Sequence, residues 1–152
     1  MRVGGFTLVE VLVALVILAV GMLGMAMLLH AGLQSSRIAL EHAQAVNLAA
    51  DMAERMRANR SAGLAYDTAD GPEPRLDAAC EDAAGPCAPD AMAGNDLRRW
   101  LDAVAAALPD GRGEVEVEVE AMAAAAHRGT ITVRWAQAGT AVLATYTLVV
   151  EP

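Results

Sequence analysis

The chain has 152 residues and a mass of 15.8 kDa, enough for one ordinary domain and not comfortably for two. Its 11 basic residues, all Arg, face 19 acidic ones, giving a formal net charge of −8 and a pI near 4.7, which argues against nucleic-acid binding driven by phosphate contacts. Hydrophobic residues make up 55%, too many for a disordered chain, and two Cys are too few for a disulfide-dense scaffold.

The apolar excess lies in the first 30 residues. From Val11 to Leu29 there is no charged or strongly polar side chain. As a helix, that run extends about 28 Å at 1.5 Å per residue, close to the hydrocarbon thickness of a bilayer. A cleavable secretory signal fits poorly, because it needs a basic leader, a shorter apolar core and a small-residue cleavage site. A plain signal anchor leaves Glu10 unexplained. A carboxylate in an apolar helix costs about 2.5–3.5 kcal/mol at the bilayer centre, and less near a helix end, where it reaches headgroup water.

Gly5-Phe6-Thr7-Leu8-Val9-Glu10 accounts for these features together. A Gly before Phe, a Glu four residues later, a short leader carrying Arg2 and an unbroken apolar helix resemble the type IV prepilin signature. The resemblance implies a leader over residues 1–5. It implies cleavage by a prepilin peptidase between Gly5 and Phe6, and methylation of the new Phe6 amine. Arg2 on the cytoplasmic side agrees with the positive-inside tendency. Glu10 lies one helical turn from Phe6 on the same face, and a carboxylate in lipid needs a cationic partner. That partner is the Phe6 amine of its own chain or of a neighbouring subunit. In the pilin family, the intersubunit pairing is thought to set register during assembly.

No Pro occurs before Pro72, and apolar residues continue at helical spacing through Ala45, Leu48 or Ala49, Met52 and Met56. Glu41, Gln44, Asn47, Asp51, Glu54 and Arg55 lie between them as the polar positions, with Asp51 and Arg55 an i,i+4 pair. One helix is therefore expected from about Phe6 to about Asn59. Residues 6–30 would form its transmembrane and assembly half, and residues 31–152 a periplasmic globular domain. Gly21 and Gly24 would permit close helix approach or local bending.

Ser61 to Asn95 holds four Pro and four Gly and reads as a long loop. Cys80 and Cys87 fall inside it. They fall short of a tetrahedral metal set and lack the spacing of a catalytic thiol pair. Export implies an oxidising compartment, so a local disulfide closing the loop is expected, with two free or intermolecular thiols as the alternative. Asn95 to Leu108 reads as a short helix capped by Asn95 or Asp96, with Leu97, Trp100, Leu101, Val104 and Leu108 on one face. Pro109-Asp110-Gly111 ends it.

Glu114 to Glu120 alternates Glu and Val, the pattern of a strand with one wet face. The Glu row could suggest a cation site, but a solvated sheet face explains it more simply. Thr130–Trp135 and Ala141–Val150 read as two further strands. Val115, Val117, Val119, Ile131, Val133 and Trp135 would supply the inner face of an antiparallel sheet packed on the C-terminal half of the long helix.

His30, His42 and His127 are scattered, and no catalytic or nucleotide-binding motif is present. Beyond residue 30, Leu33-Gln34-Ser35-Ser36 and Asp51-Met52-Ala53-Glu54-Arg55-Met56-Arg57-Ala58-Asn59-Arg60 are similar to the minor pilins known as pilus modification proteins. Trp100, Ala107-Leu108-Pro109 and Val133-Arg134-Trp135 are similar as well. The Cys pair precedes the sheet, unlike the C-terminal pair that brackets a large loop in major pilins.

The resemblance implies an α+β, type IV pilin-like fold and a minor pilin that is not an enzyme. Such a subunit helps prime filament assembly at the inner membrane and can end at the filament tip. The implied partners are other minor pilins and the major pilin through the N-terminal helix, the prepilin peptidase and the inner membrane. No cofactor, metal, nucleic acid or small-molecule substrate is implied. The alternatives are a type II secretion minor pseudopilin, or a signal-anchored periplasmic binding domain that never polymerises.

Overall fold

The computed structural model describes residues 7–81, 87–119, 127–137 and 142–151. Helix α1 runs over Leu8–Ala58. It contains no Pro, and its three glycines are separated by good helix formers, so nothing in the sequence breaks it. By contacts the chain divides into two compact units, Met1–Ile38 and Ala39–Pro152.

In the first unit the large apolar side chains of α1 are exposed throughout, from Leu8 to Leu33. In the second, α1 contributes Ala45, Ala49, Met52, Ala53 and Met56 to the core. These recur at three- and four-residue steps and so form one stripe. Glu41, read as a polar-face residue, is also buried, because it stands one turn before Ala45 on the same stripe.

The segment read as one loop is more structured than its Pro and Gly content suggests. Two 3-10 turns within Arg60–Tyr66 meet at Gly63, whose φ of +49° is a conformation that favours glycine. A side chain there would also press on the His127 ring. A single turn, α2, spans Ala78–Glu81, and Cys80 is joined to Cys87 by a disulfide with Cα atoms 5.0 Å apart. Closing so short a loop contributes about 2.5 kcal/mol in the chain-entropy account.

Helix α3 covers Pro89–Ala107, so it begins six residues before the expected start. Pro89 occupies the first turn, where its fixed φ suits the helix and its missing N–H is not needed. Asn95 and Asp96 are therefore not caps. They are buried mid-helix and used for tertiary bonds: Asn95 Oδ1 accepts the Asp77 N–H at 3.2 Å. Leu97, Trp100, Val104 and Leu108 are buried as expected, with Leu101 packed at the margin.

Strands β1 (Arg112–Val119), β2 (His127–Ala136) and β3 (Leu143–Val150) form an antiparallel sheet in the order β1-β2-β3. Val115 pairs with Ile131, and Ile131 with Leu148, so one row of side chains runs across all three strands. Val115, Val117, Ile131, Val133 and Trp135 face the core, but Val119 is 52% exposed. It is the last residue of β1, paired with His127 at the end of the ladder, and alternation alone does not show where the core stops.

Side-chain hydrogen bonds tie these layers together. Trp100 Nε1 donates to the Leu48 carbonyl of α1 at 2.8 Å. Arg55 bridges Asp51 on its own helix and Asp96 on α3, each at 2.9 Å. The Tyr66 hydroxyl donates to the other Asp96 oxygen at 2.8 Å, and Asn59 Nδ2 donates to the Pro89 carbonyl at 2.7 Å. Burial would lower the Arg55 pKa, but its bonds to Asp51 and Asp96 raise it above the ordinary value. Burial pushes the Tyr66 hydroxyl up, with Asp96 adding to the shift.

The outer edge of β1 is closed by two residues that follow the 3-10 turns. Thr68 N–H donates to the Val115 carbonyl at 2.8 Å, and Val115 N–H donates to the Thr68 hydroxyl at 3.1 Å. The buried Asp67 carboxylate accepts the N–H groups of Ala69, Asp70 and Val117, each at 2.8 Å. Burial raises the Asp67 pKa, but the three N–H donors outweigh it and hold the carboxyl below its ordinary range.

Candidate functional site

The start of α1 is built by Thr7 and Glu10. Thr7 precedes the first helical residue, and its carbonyl accepts the Glu10 N–H at 3.1 Å, with the hydroxyl 3.4 Å from the same nitrogen. Thr7-x-x-Glu10 has the spacing of a capping box, a signal that a reading centred on Glu10 alone passes over. Glu10 is exposed in the first turn, where the positive end of the helix dipole favours a carboxylate. Gly5 and Phe6, the expected cleavage and methylation positions, lie outside the described residues, as does Glu120.

Beyond Glu10 the helix presents an uninterrupted apolar surface. Its most apolar 18-residue window has a mean hydropathy of 2.8, with none of it buried. No side chain stands over Gly21, Gly24 or Gly32. A shallow apolar groove of about 560 Å³ is lined by Met25, Leu28, Leu29, Gly32, Leu33 and Ser36. The Ser36 hydroxyl turns back to the Gly32 carbonyl at 3.0 Å, so it offers little polarity to a neighbour. Such a surface suits lipid or other apolar helices.

The other candidates are not brought together. His42 packs its ring against Trp135 and Tyr146, while His127 lies beside Gly63 at the far end of β2. Glu114, Glu116 and Glu118 stand exposed on the outer sheet face, and Glu114 pairs with Arg134 at 2.9 Å. Among the described residues no group of three His, Cys, Asp or Glu could hold a metal ion.

Among the described residues, the apolar stretch of α1 has no intramolecular cover and opens on Glu10. A family model described as the prokaryotic N-terminal methylation motif matches residues 1–26. A second, described as type IV pilin Tt1218, matches residues 26–98. The chain is a type IV pilin-like protein. The methylation match contains Gly5, Phe6 and Glu10; the pilin match contains the rest of α1, the disulfide and the first half of α3. Comparison with curated proteins and with solved structures finds no match. The pilin family is structural rather than enzymatic, and its methylation motif suggests processing by a prepilin peptidase and assembly into a pilus. The apolar helix and that motif fit a membrane-anchored pilin.

Proposed function

We propose that this pilin subunit is a minor pilin of the PilV kind, which helps prime filament assembly at the inner membrane and is left at the filament tip. The peptidase cuts between Gly5 and Phe6, and the methylated Phe6 amine pairs with Glu10 of a neighbouring subunit. The chain acts without enzymatic activity or cofactor, its globular unit lying in the periplasm. Other minor pilins and the major pilin meet it through the N-terminal half of α1.

The observation that supports the minor-pilin reading is the disulfide. Cys80–Cys87 closes a small loop before the sheet and leaves the C-terminal strands unbracketed, unlike the arrangement in major pilins. The similar segment Asp51–Arg60 agrees with it, since its Arg55 and Asn59 fasten α1 to α3.

The test combines the intact mass of the membrane-extracted protein with its abundance in sheared filaments. A methylated Phe6 N-terminus, present only with the peptidase, and a small share of filament mass are expected. Glu10→Ala should insert normally and reduce filament number. Normal piliation in that variant refutes the register role, and a chain that forms the bulk of the filament is not a minor pilin.

A further inference from the structure

The two edges of the sheet differ. In β1 the N–H groups of Val115 and Val117 and the carbonyl of Val115 point away from β2, because Thr68 and Asp67 bond to them from outside. In an antiparallel ladder, outward and inward backbone groups alternate residue by residue. The even-numbered residues of β1 therefore bond to β2, and through the pairs Val133↔Tyr146 and Ile131↔Leu148 the even-numbered residues of β3 bond to β2 as well. That leaves the N–H and carbonyl groups of Leu143, Thr145, Thr147 and Val149 pointing outward from β3. Among the described residues none bonds to them, whereas β1 has its cover.

The side chains repeat the asymmetry. Ile131 and Val133 of β2 are fully buried, but Ala144, Tyr146 and Leu148, their row-mates on β3, are only half-buried. The core ends at an open margin, not at a finished surface. β3 also lacks the residues that commonly blunt a free edge: Leu143-Ala144-Thr145-Tyr146-Thr147-Leu148-Val149-Val150 has no charge and no Pro.

We propose that β3 is a docking edge for an extended, uncharged β-strand of a different pilin-like subunit, which adds to the sheet as a fourth strand. The open backbone groups require an extended main chain. The half-buried row requires apolar residues at alternate positions of that chain, over Tyr146 and Leu148. A second copy of this chain is disfavoured as the donor. Its β1 edge is already closed by Asp67 and Thr68, and pairing its β3 with this one would bring together two chains that each carry a formal net charge of −8. The proposal rests on the minor-pilin reading for the source of the strand.

The test is residue-resolved amide exchange on the full, processed chain, first alone in detergent and then in assemblies extracted from piliated cells. Alone, the amides of Ala144, Tyr146, Leu148 and Val150 should be protected and those of Leu143, Thr145, Thr147 and Val149 should exchange freely. In assemblies the second set should slow by about a hundredfold or more, as hydrogen-bonded amides do. Thr147→Pro removes one outward N–H and no ladder bond, so it should fold, be processed and yet be lost from assemblies. Should it misfold, Thr147→Lys provides a charged edge in its place. Unchanged exchange in a processed and assembled chain overturns the proposal and leaves the pilin reading intact. An unprocessed Met1 terminus overturns the proposed processing and the minor-pilin reading instead. Protection of the second set in the isolated chain assigns the edge to a second copy and likewise overturns the proposal.

Discussion

Replacing Asp67 by Asn should destabilise the globular unit although it hardly changes the size of the side chain. The carboxylate accepts three backbone N–H groups, and the one from Val117 is a buried bond of 2.8 Å. Asn can keep its carbonyl toward Ala69 and Asp70, but its amide then faces the Val117 N–H as a second donor. An unsatisfied buried donor costs about 1–3 kcal/mol. Turning the two remaining bonds from charge-assisted to neutral removes about 1 kcal/mol more. The expected loss is about 2–4 kcal/mol, a large part of the 5–15 kcal/mol or so that holds a domain folded.

Urea unfolding of the full chain in mild detergent, followed by the fluorescence of the buried Trp100 and Trp135, reads this loss. The pH dependence has a definite sign. Asp67 has a folded-state pKa below its ordinary value, 3.8. Its contribution is therefore complete above the unfolded value and is lost as pH falls through the folded one. The gap between wild type and Asp67→Asn should be widest near neutrality and should close in acid below about pH 4. A gap under about 0.5 kcal/mol at neutral pH, or one that persists unchanged in acid, refutes the assignment of Asp67 as the clasp. The variant should also aggregate more readily, since its β1 edge loses the cover over Val117 and keeps only that of Thr68.

Two further outcomes follow from the packing. Asp96→Ala leaves the Arg55 guanidinium and the Tyr66 hydroxyl without their shared acceptor; with Arg55 one-third exposed, a loss of about 2–3 kcal/mol is expected in the same urea assay. Gly113→Ala drives a methyl into the Trp100 ring and should cost about 1–3 kcal/mol, whereas Gly129→Ala meets the flexible end of Met56 and should cost less than about 1 kcal/mol. Equal losses at the two glycines would contradict the expectation that the Trp100 ring, held by its bond to the Leu48 carbonyl, yields less than the end of Met56.

Periodicity made the regular elements legible. The stripe Ala45, Ala49, Met52 and Met56 and the alternation of Val115 and Val117 are local patterns, and the structure buries each of them. The start of α3 was not legible because Pro89 carries two meanings. Proline breaks helices in their interior and opens them in the first turn, and the surrounding Pro and Gly favoured the first meaning. Asp67 and Thr68 were invisible for a different reason: their partners lie 47–50 residues away in sequence, and nothing in a solvent-like Asp-Thr pair announces a strand edge. The expected processing site was legible as a motif, since its residues lie in one short stretch that the methylation-motif model also matches. Gly5, Phe6 and Glu10 therefore carry their signal in their spacing, whatever the rest of the chain folds into.

The magnitudes at Glu10 show why that carboxylate implies a partner. At the first turn, the helix dipole favours a negative charge by about 0.3–1 kcal/mol at an exposed site. Burial of a carboxylate within an apolar layer costs about 2.5–3.5 kcal/mol at its centre. The local term, helped by the capping geometry at Thr7, does not offset the cost. While the subunit sits in a bilayer, Glu10 lies at the end of the apolar run and can keep contact with headgroup water. In the proposed filament, where apolar helices would surround it, that water would be lost and a cation would have to meet the shortfall. Arg37 is the next basic residue along α1, 27 positions and about seven turns away, too far to serve within the chain. On the proposed processing, cleavage after Gly5 would create a terminal amine at Phe6, one turn from Glu10. The same reasoning explains why the apolar run tolerates its one charge at this end and nowhere else between Val11 and Leu29.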